Sequence, residues 1–325
     1  MTALPFVTLD DPRYGEAVRV SPLVERVVAQ NPSMFTYHGT GTYLVGDRHD
    51  VVVIDPGPDL EAHRAALLAA IGQRTVRAVL VTHCHADHSP LAPWLAALTG
   101  SATVGFGPHP RLPDPDAEPP ELCQSQPGEP VETDKVAGVE ETTDYDFDPD
   151  RRVVDGEIAA EGAAFTLRAV HTPGHTSNHL CFALEQERAL FTGDHIMGWS
   201  TTVIGPPDGN MRAYFESLRK VQARDDAVFL PTHGAPVTET RPFLTAFMAH
   251  RLEREAQVLA VVRSGQSSIA AMVETLYVDV RAELHKPAGR SVLAHLVKLV
   301  DDGLVVIDDQ AAPSLRALYR PAQLY

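Results

Sequence analysis

The sequence predicts a layered α/β domain followed by a small helical module. Three observations point there. Short apolar runs alternate with Ala- and Leu-rich helical segments as far as residue 230. Histidines and aspartates collect at the ends of those runs. After residue 240 the strands give way to three successive amphipathic helices. A chain of 325 residues exceeds what one hydrophobic core usually supports, so a large unit over 1–240 and a small one over 241–325 are expected.

The elements follow in order. Val24–Ala29 and Gly39–Val45 read as β segments separated by Asn31-Pro32. Val51-Val-Val-Ile-Asp55 is a short continuous apolar run, the pattern of a strand covered on both faces, and Pro56-Gly57-Pro58 stops it. Asp59 is placed to cap a helix over Leu60–Ile71 that ends at Gly72. Val76–Thr82 is the next strand, His88–Leu98 the next helix and Ala102–Phe106 another strand. Strands resume at Phe165–Val170, His179–Leu184 and Ala189–Thr192; Met211–Gln222 is a helix and Ala227–Leu230 a strand. Beyond these lie helices at Arg241–Arg263, Ser268–Leu276 and Pro287–Asp302, then a strand at Leu304–Ile307. That order suggests a winged-helix-like module. Residues 251–325 hold nine acidic and nine basic residues, so the module has no basic stripe and reads as a packing or dimerisation unit rather than a DNA binder.

Charge narrows the function further. With 27 basic and 43 acidic residues the net charge is −16, which repels polyanions at long range. The acidity is local: residues 106–160 hold 15 Asp/Glu against four Lys/Arg, together with nine of the 26 prolines. Residues 110–150 therefore read as an acidic, Pro-rich surface insertion or a flap beside the site. No apolar run is long enough for a membrane span, and the first residues show no secretory pattern. Three cysteines cannot build a disulfide framework, so a cytoplasmic setting is expected.

Fifteen histidines remain to be explained. Residues 82–88 read Thr-His-Cys-His-Ala-Asp-His and place His83, His85, Asp87 and His88 on one strand-to-helix loop. Imidazole and carboxylate together suit zinc, iron or manganese. In an extended loop His83 and His85 project to the same side and can share one ion, while Asp87 and His88 lie past the bend and can reach a second. His175 follows a Pro-Gly turn, Asp194 ends an apolar strand in Thr-Gly-Asp, and His233 sits in Thr-His-Gly at another strand end. Ligands at the ends of several strands converge on one edge of a sheet. Cys84 is expected to point into the fold and His171 to be structural, whereas His179, His195 and Trp199 are candidate supports or substrate contacts. His49, His63 and His109 are expected on the surface, and Cys123 is an incidental thiol.

The succession of Asp55, His-x-His-x-Asp-His at 83–88, Thr-Pro-Gly-His-Thr at 172–176, Gly-Asp at 193–194 and Thr-His-Gly at 232–234 resembles the metallo-beta-lactamase superfamily. The resemblance implies an αββα metallo-beta-lactamase sandwich with a dinuclear metal site between its sheets. It assigns His83, His85 and His175 to one ion, Asp87, His88 and His233 to the other, Asp194 to both, and gives Asp55 the role of stiffening the ligands. Within the superfamily the chain is similar to the beta-lactamase-like protein 2 and glyoxalase II-like group. The similarity lies in His38-Gly-Thr-Gly-Thr-Tyr-Leu-Val-Gly46, Thr201-Thr-Val with the helix around Tyr214–Leu218, and His250-Arg251; that group also ends in a winged-helix-like module. Gly41 stands where the pattern has Asn, and His195 after the bridging Asp departs from that group.

The implied reaction is hydrolysis by a hydroxide bridging two divalent ions, zinc with iron or manganese as alternatives, with Asp87 orienting that hydroxide. A small ester, thioester or lactone is favoured as substrate. Single-stranded RNA is an alternative, because the group includes an endoribonuclease, but only four lysines and an acidic insertion stand against nucleic acid. A mononuclear-iron persulfide dioxygenase is a further alternative, disfavoured by the complete second set Asp87, His88 and His233. A homodimer through the C-terminal module is left open.

Overall fold

The computed structural model describes residues 4–116, 142–278, 285–308 and 312–323. Its first sheet runs in spatial order β1 (Val18–Ser21), β2 (Val24–Val28), β3 (Gly41–Gly46), β4 (Asp50–Ile54), β5 (Thr75–Leu80), β6 (Ala102–Gly105) and β7 (Arg151–Arg152). Its second sheet holds β8 (Ile158–Glu161), β9 (Thr166–His171), β10 (Leu180–Leu184), β11 (Ala189–Gly193) and β12 (Val228–Pro231), in the spatial order β12-β11-β10-β9-β8. Pairing in the first sheet is antiparallel up to β4 and parallel from β4 to β7.

Side-chain alternation explains the layers. In β4, Val52 and Ile54 face the second sheet, while Val51 and Val53 face α1 (Glu61–Ile71) and α2 (Leu91–Thr99). In β10, Leu180, Phe182 and Leu184 face the first sheet, and Cys181 and Ala183 face α3 (Met211–Gln222). Both faces of each sheet are covered, which is why these strands read as continuous apolar runs. The result is the expected αββα sandwich, with burial of each large side chain between the sheets contributing roughly 1.5–3 kcal/mol.

The helix α4 (Thr240–Arg263) is shared between two cores. Phe243, Leu244 and Phe247 in its first half join the cluster that covers the second sheet. Val258, Val261 and Val262 in its second half pack with α5 (Ile269–Leu276), α6 (His285–Asp301), and the antiparallel pair β13 (Val305–Ile307) and β14 (Tyr319–Pro321). The Ser268 hydroxyl caps α5 by accepting from Ala271 N at 3.4 Å.

Several local expectations are corrected. Asp59 does not cap α1; the helix begins at Glu61 without a side-chain cap, and Asp59 pairs with Arg64 at 2.6 Å instead. The second helix begins at Leu91 rather than at His88, because residues 85–89 form a tight turn in which His88 N donates to His85 O at 2.9 Å. The C-terminal end of the acidic insertion is not a free loop. Ala86 N donates to Thr142 O at 2.8 Å and Asp144 N to Cys84 O at 2.7 Å, so residues 142–144 line up along the ligand loop, and Phe147 is buried. Residues 117–141 of the insertion, with Cys123, lie outside the described residues.

His63 and His109 are buried, not on the surface, whereas His49 is exposed. His63 Nε2 meets the Thr42 hydroxyl at 2.9 Å, and burial pushes its pKa down to about 4. The unfolded chain binds its proton near the ordinary value of 6.5. The stability contributed by a neutral His63 is therefore complete above pH 6.5 and is lost as the pH falls toward 4. Between pH 7.5 and pH 5 the protein should lose about 2 kcal/mol more than the variant His63→Asn does. Urea midpoints of both proteins at the two pH values measure this; identical losses would remove His63 as the cause.

Candidate metal centre

Every candidate ligand lies at or just beyond the C-terminal end of a strand, on the edge where the two sheets open. Asp55 follows β4; His83, His85, Asp87 and His88 follow β5; His175 follows β9; Asp194 follows β11; His233 follows β12. The structure brings seven of these eight side chains into two adjoining clusters.

In the first cluster His85 Nδ1 lies 3.0 Å from His83 Nε2 and 3.1 Å from His175 Nε2. The far nitrogens are already engaged. His83 Nδ1–H donates to the Thr82 hydroxyl at 3.0 Å and His175 Nδ1–H to Val203 O at 2.6 Å. Both Nε2 atoms therefore present lone pairs, and His85 Nδ1 can donate to only one of them. Burial holds His83 far below its usual range and His85 down to about 3, so both rings stay neutral.

The second cluster contains Asp87, His88 and His233. Asp87 Oδ2 lies 3.3 Å from His88 Nε2 and 3.2 Å from His233 Nε2. Again the far nitrogens are taken, His88 Nδ1–H by Asp55 Oδ2 at 3.0 Å and His233 Nδ1–H by Gly39 O at 3.2 Å. Asp194 stands between the clusters: Oδ1 is 3.6 Å from His88 Nε2 and 3.5 Å from His233 Nε2, and Oδ2 is 4.0 Å from His175 Nε2. His88 Nε2 and Asp194 Oδ1 are buried without a hydrogen-bond partner.

These groups fit divalent cations. Lone pairs and carboxylate oxygens face one another in a buried space, the arrangement a cation satisfies and a hydrogen-bond network does not. The electrostatics agree. Burial opposes a charge on His88 and His233, yet the surrounding carboxylates outweigh it and draw both pKa values up, His233 to about 10. Asp87 and Asp194 are buried too, but the adjacent imidazoles hold both well below the usual carboxylate range.

Asp55 touches no ligand cluster directly except through His88. Its Oδ1 accepts from Thr82 N at 2.8 Å, and its Oδ2 from the hydroxyls of Thr82 at 2.8 Å and Thr232 at 3.1 Å, besides His88. One carboxylate thereby ties together the two loops that carry His83 and His233. Its backbone has a positive φ of 49°, an uncommon state for a non-glycine residue and one that its bonds hold in place. Gly193 is required beside it: a Cβ there would come within 2.7 Å of His179 Nε2 and 2.9 Å of the Thr82 hydroxyl.

The remaining candidates separate. His179 and His195 are fully buried and do not border the cavity. His179 Nε2 accepts from Asp194 N at 3.3 Å, so it positions the backbone of that aspartate. His195 is held through its carbonyl, which accepts from the Tyr214 hydroxyl at 2.8 Å. Trp199 does border the cavity and stacks on Tyr37 with ring centroids 4.8 Å apart. Cys84 faces inward to Asn178 Nδ2 at 3.1 Å, and His171 stacks on Phe106 and donates to Ser177 O. Gly41, the departure from the family pattern, is explained by space: a Cβ would lie 2.9 Å from Thr232 O, so this strand can approach the His233 loop only without a side chain.

Residues that sequence reasoning passed over complete the site. The Thr40 hydroxyl donates to Asp87 Oδ2 at 2.8 Å. Thr82 and Thr232 each precede a candidate ligand histidine, and that repeated Thr-His at strand ends was a readable signal. The cavity beside the clusters has a volume of about 280 Å³. Phe35, Leu112, Met197 and Trp199 give it an apolar wall, and His109, facing Asp208 at 3.6 Å, gives it a polar one. Arg290 of α6 also borders it, so the C-terminal module contributes to the cavity.

Comparison with known proteins agrees with this architecture. Residues 38–233 match the metallo-beta-lactamase superfamily, and residues 268–312 match the beta-lactamase associated winged helix domain. An atrochrysone carboxyl ACP thioesterase from Paecilomyces divaricatus is 32% identical over 83% of this chain and 74% of its own length. One from Aspergillus chevalieri is 30% identical over 92% of this chain and 88% of its own. Among solved structures, a beta-lactamase domain protein from Burkholderia ambifaria superposes with a TM-score of 0.74 at 21% identity, covering 98% of this chain and 97% of the other. With the fold, the clustered donors and the matched domains in agreement, the chain belongs to the metallo-beta-lactamase superfamily, as a hydrolase that carries the superfamily's associated winged-helix domain.

Proposed function

We propose that this protein is a thioesterase that uses two divalent ions, zinc in the first instance, to cleave a small acyl thioester. The observation that carries the reading is the facing of imidazole nitrogens and carboxylate oxygens in two adjoining, buried clusters joined by Asp194. His83, His85 and His175 would hold one ion, Asp87, His88 and His233 the other, and Asp194 both. Such ions supply Lewis acidity, which makes water nucleophilic near neutral pH and polarises the acyl carbonyl.

The protein's own groups do the rest. Thr40 orients Asp87, whose free carboxylate oxygen is placed to accept a proton from the attacking water. Asp55, Thr82 and Gly39 fix the ring orientations of His88, His83 and His233. Phe35, Met197 and Trp199 receive the acyl chain and exclude bulk water. The thioester is chosen over other acyl groups because relatives at about 30% identity carry the name thioesterase. It is chosen over RNA because the chain carries a net charge of −16, and the cavity wall sets Arg290 against Asp114 and His109 against Asp208 instead of offering a basic track for phosphates. The winged-helix module supports placing the chain beside the beta-lactamase-like protein 2 group. Cys84 and Cys181, both free and buried, suit a reducing cytoplasm.

Protein loaded with zinc should hold about two ions per chain and hydrolyse acyl thioesters. In His85→Ala the metal content should fall toward one ion and activity should drop roughly 100-fold or more. Full activity in that variant, or a single iron with oxygen uptake on a persulfide, would overturn the reading.

A further inference from the structure

A groove of about 480 Å³ lies beside the catalytic cavity and shares Trp199, Ser200 and Thr201 with it. It is bounded by the N-terminal segment at Phe6, by α4, and by Tyr277 and Ser291 of the C-terminal module. Its charged lining is Arg251 and Arg254, with His250 beside them, all from α4, and among the described residues no carboxylate lines it. A basic groove is unexpected in a chain of net charge −16, and the His250-Arg251 pair has no part in the metal centre.

Burying a guanidinium requires compensation. Arg251 is 3% exposed. Its Nη2 donates to Thr202 O, and its charge lies 5.4 Å from the Tyr214 ring centroid and 5.7 Å from that of Phe247. Those contacts leave Nε without a partner. Arg254 is 7% exposed and lies 4.4 Å from the ring centroid of Tyr277. Trp199 Nε1, in the shared wall, is also buried without a partner, as is His250 Nδ1. The field is positive: burial first, then the charges of Arg251 and Arg254, hold His250 down to about 4.

We propose that this groove binds a phosphate carried on the thiol portion of the substrate, while the acyl portion occupies the cavity on the other side of Trp199. A guanidinium fork matches the oxygens of a phosphate and supplies charge-assisted hydrogen bonds to it. Trp199, Ser200 and Thr201 border both spaces, so the two lie side by side, and a ligand running over this rim would have its thioester on the cavity side, where His85, His175 and Asp194 lie. The inference rests on the thioesterase reading, since it names what the leaving thiol carries. Coenzyme A and the prosthetic arm of an acyl carrier protein present the same phosphate-pantetheine-sulfur chemistry, and either satisfies the groove.

The test compares 4′-phosphopantetheine with pantetheine, which lacks the phosphate, by calorimetry on the intact protein. The phosphorylated compound should bind about tenfold tighter. That difference should vanish in Arg251→Met and in Ser291→Asp. The second variant adds a carboxylate to the groove and leaves the buried packing of Arg251 in place, so it serves even where the first fails to fold. The ratio of kcat/KM for an acyl phosphopantetheine to that for the matching acyl N-acetylcysteamine should also fall about tenfold in the variants. Equal binding of the two probes, or a difference that survives Ser291→Asp, overturns the proposal. Failure of the thioesterase reading is distinguishable: no acyl thioester is hydrolysed, whatever the probes do. Acyl coenzyme A and acyl carrier protein, compared as substrates, show which source the groove serves, and a preference for either supports it.

Discussion

Asp87→Asn should lower kcat/KM on an acyl thioester by roughly 10²–10⁴-fold, the range of a lost general base at a charged site. Three groups meet at Asp87 Oδ2: the Thr40 hydroxyl at 2.8 Å, His233 Nε2 at 3.2 Å and His88 Nε2 at 3.3 Å. Both histidines give their Nδ1 protons elsewhere and turn Nε2 toward Asp87, whose carboxylate supplies negative charge to the cluster. A carboxamide supplies none, and in either orientation it can no longer take a proton. The loss should fall mainly on kcat, because Asp87 does not border the cavity, whose apolar wall around Trp199 is the proposed acyl site. Steady-state kinetics beside metal analysis provide the measurement. A variant that keeps more than about a tenth of the activity would exclude Asp87 from the chemistry.

How far the sequence reveals such a site depends on the range of the interactions. The strands were legible because alternation is local: Val51 and Val53 turn to the helices, Val52 and Ile54 to the opposite sheet, and both sets are apolar. The clustered residues were legible because His83, His85, Asp87 and His88 crowd one loop and the others end apolar runs. What supports them was not. The bond from Thr232 to Asp55 joins residues 177 apart, and nothing local marks it. Burial of His63 and His109 likewise arises from packing between distant segments, so isolated histidines in polar stretches were read as exposed. Composition also misled at residues 142–150. Their aspartates suggest a solvated loop, but Asp144 accepts from the Ser89 hydroxyl at 2.6 Å and Asp150 from Thr103 N at 2.8 Å, so the acid is used to anchor the loop.

Asp55→Asn is the second large effect, and it separates positioning from chemistry. The carboxylate accepts four hydrogen bonds from donors that are themselves buried: Thr82 N, the Thr82 and Thr232 hydroxyls, and His88 Nδ1–H. An amide cannot reproduce them in either orientation. With its NH₂ at the Oδ2 position, three donors lose their acceptor; with its NH₂ at the Oδ1 position, it meets the Thr82 N–H head-on. Each donor left unsatisfied costs about 1–3 kcal/mol, so the variant should lose several kcal/mol of stability. Loss of the acceptor also frees His88 to turn its Nε2 away from Asp87 and Asp194, which should weaken metal binding about 10–100-fold. Activity should then return in part when the metal concentration is raised, because Asp55 acts through His88 and not on the substrate. In Asp87→Asn excess metal should restore occupancy but leave most of the loss in kcat, because the missing proton acceptor is not replaced. Metal titrations of activity in the two variants decide the matter: a fixed, metal-independent loss in Asp55→Asn would mean that this residue takes part in the chemistry itself.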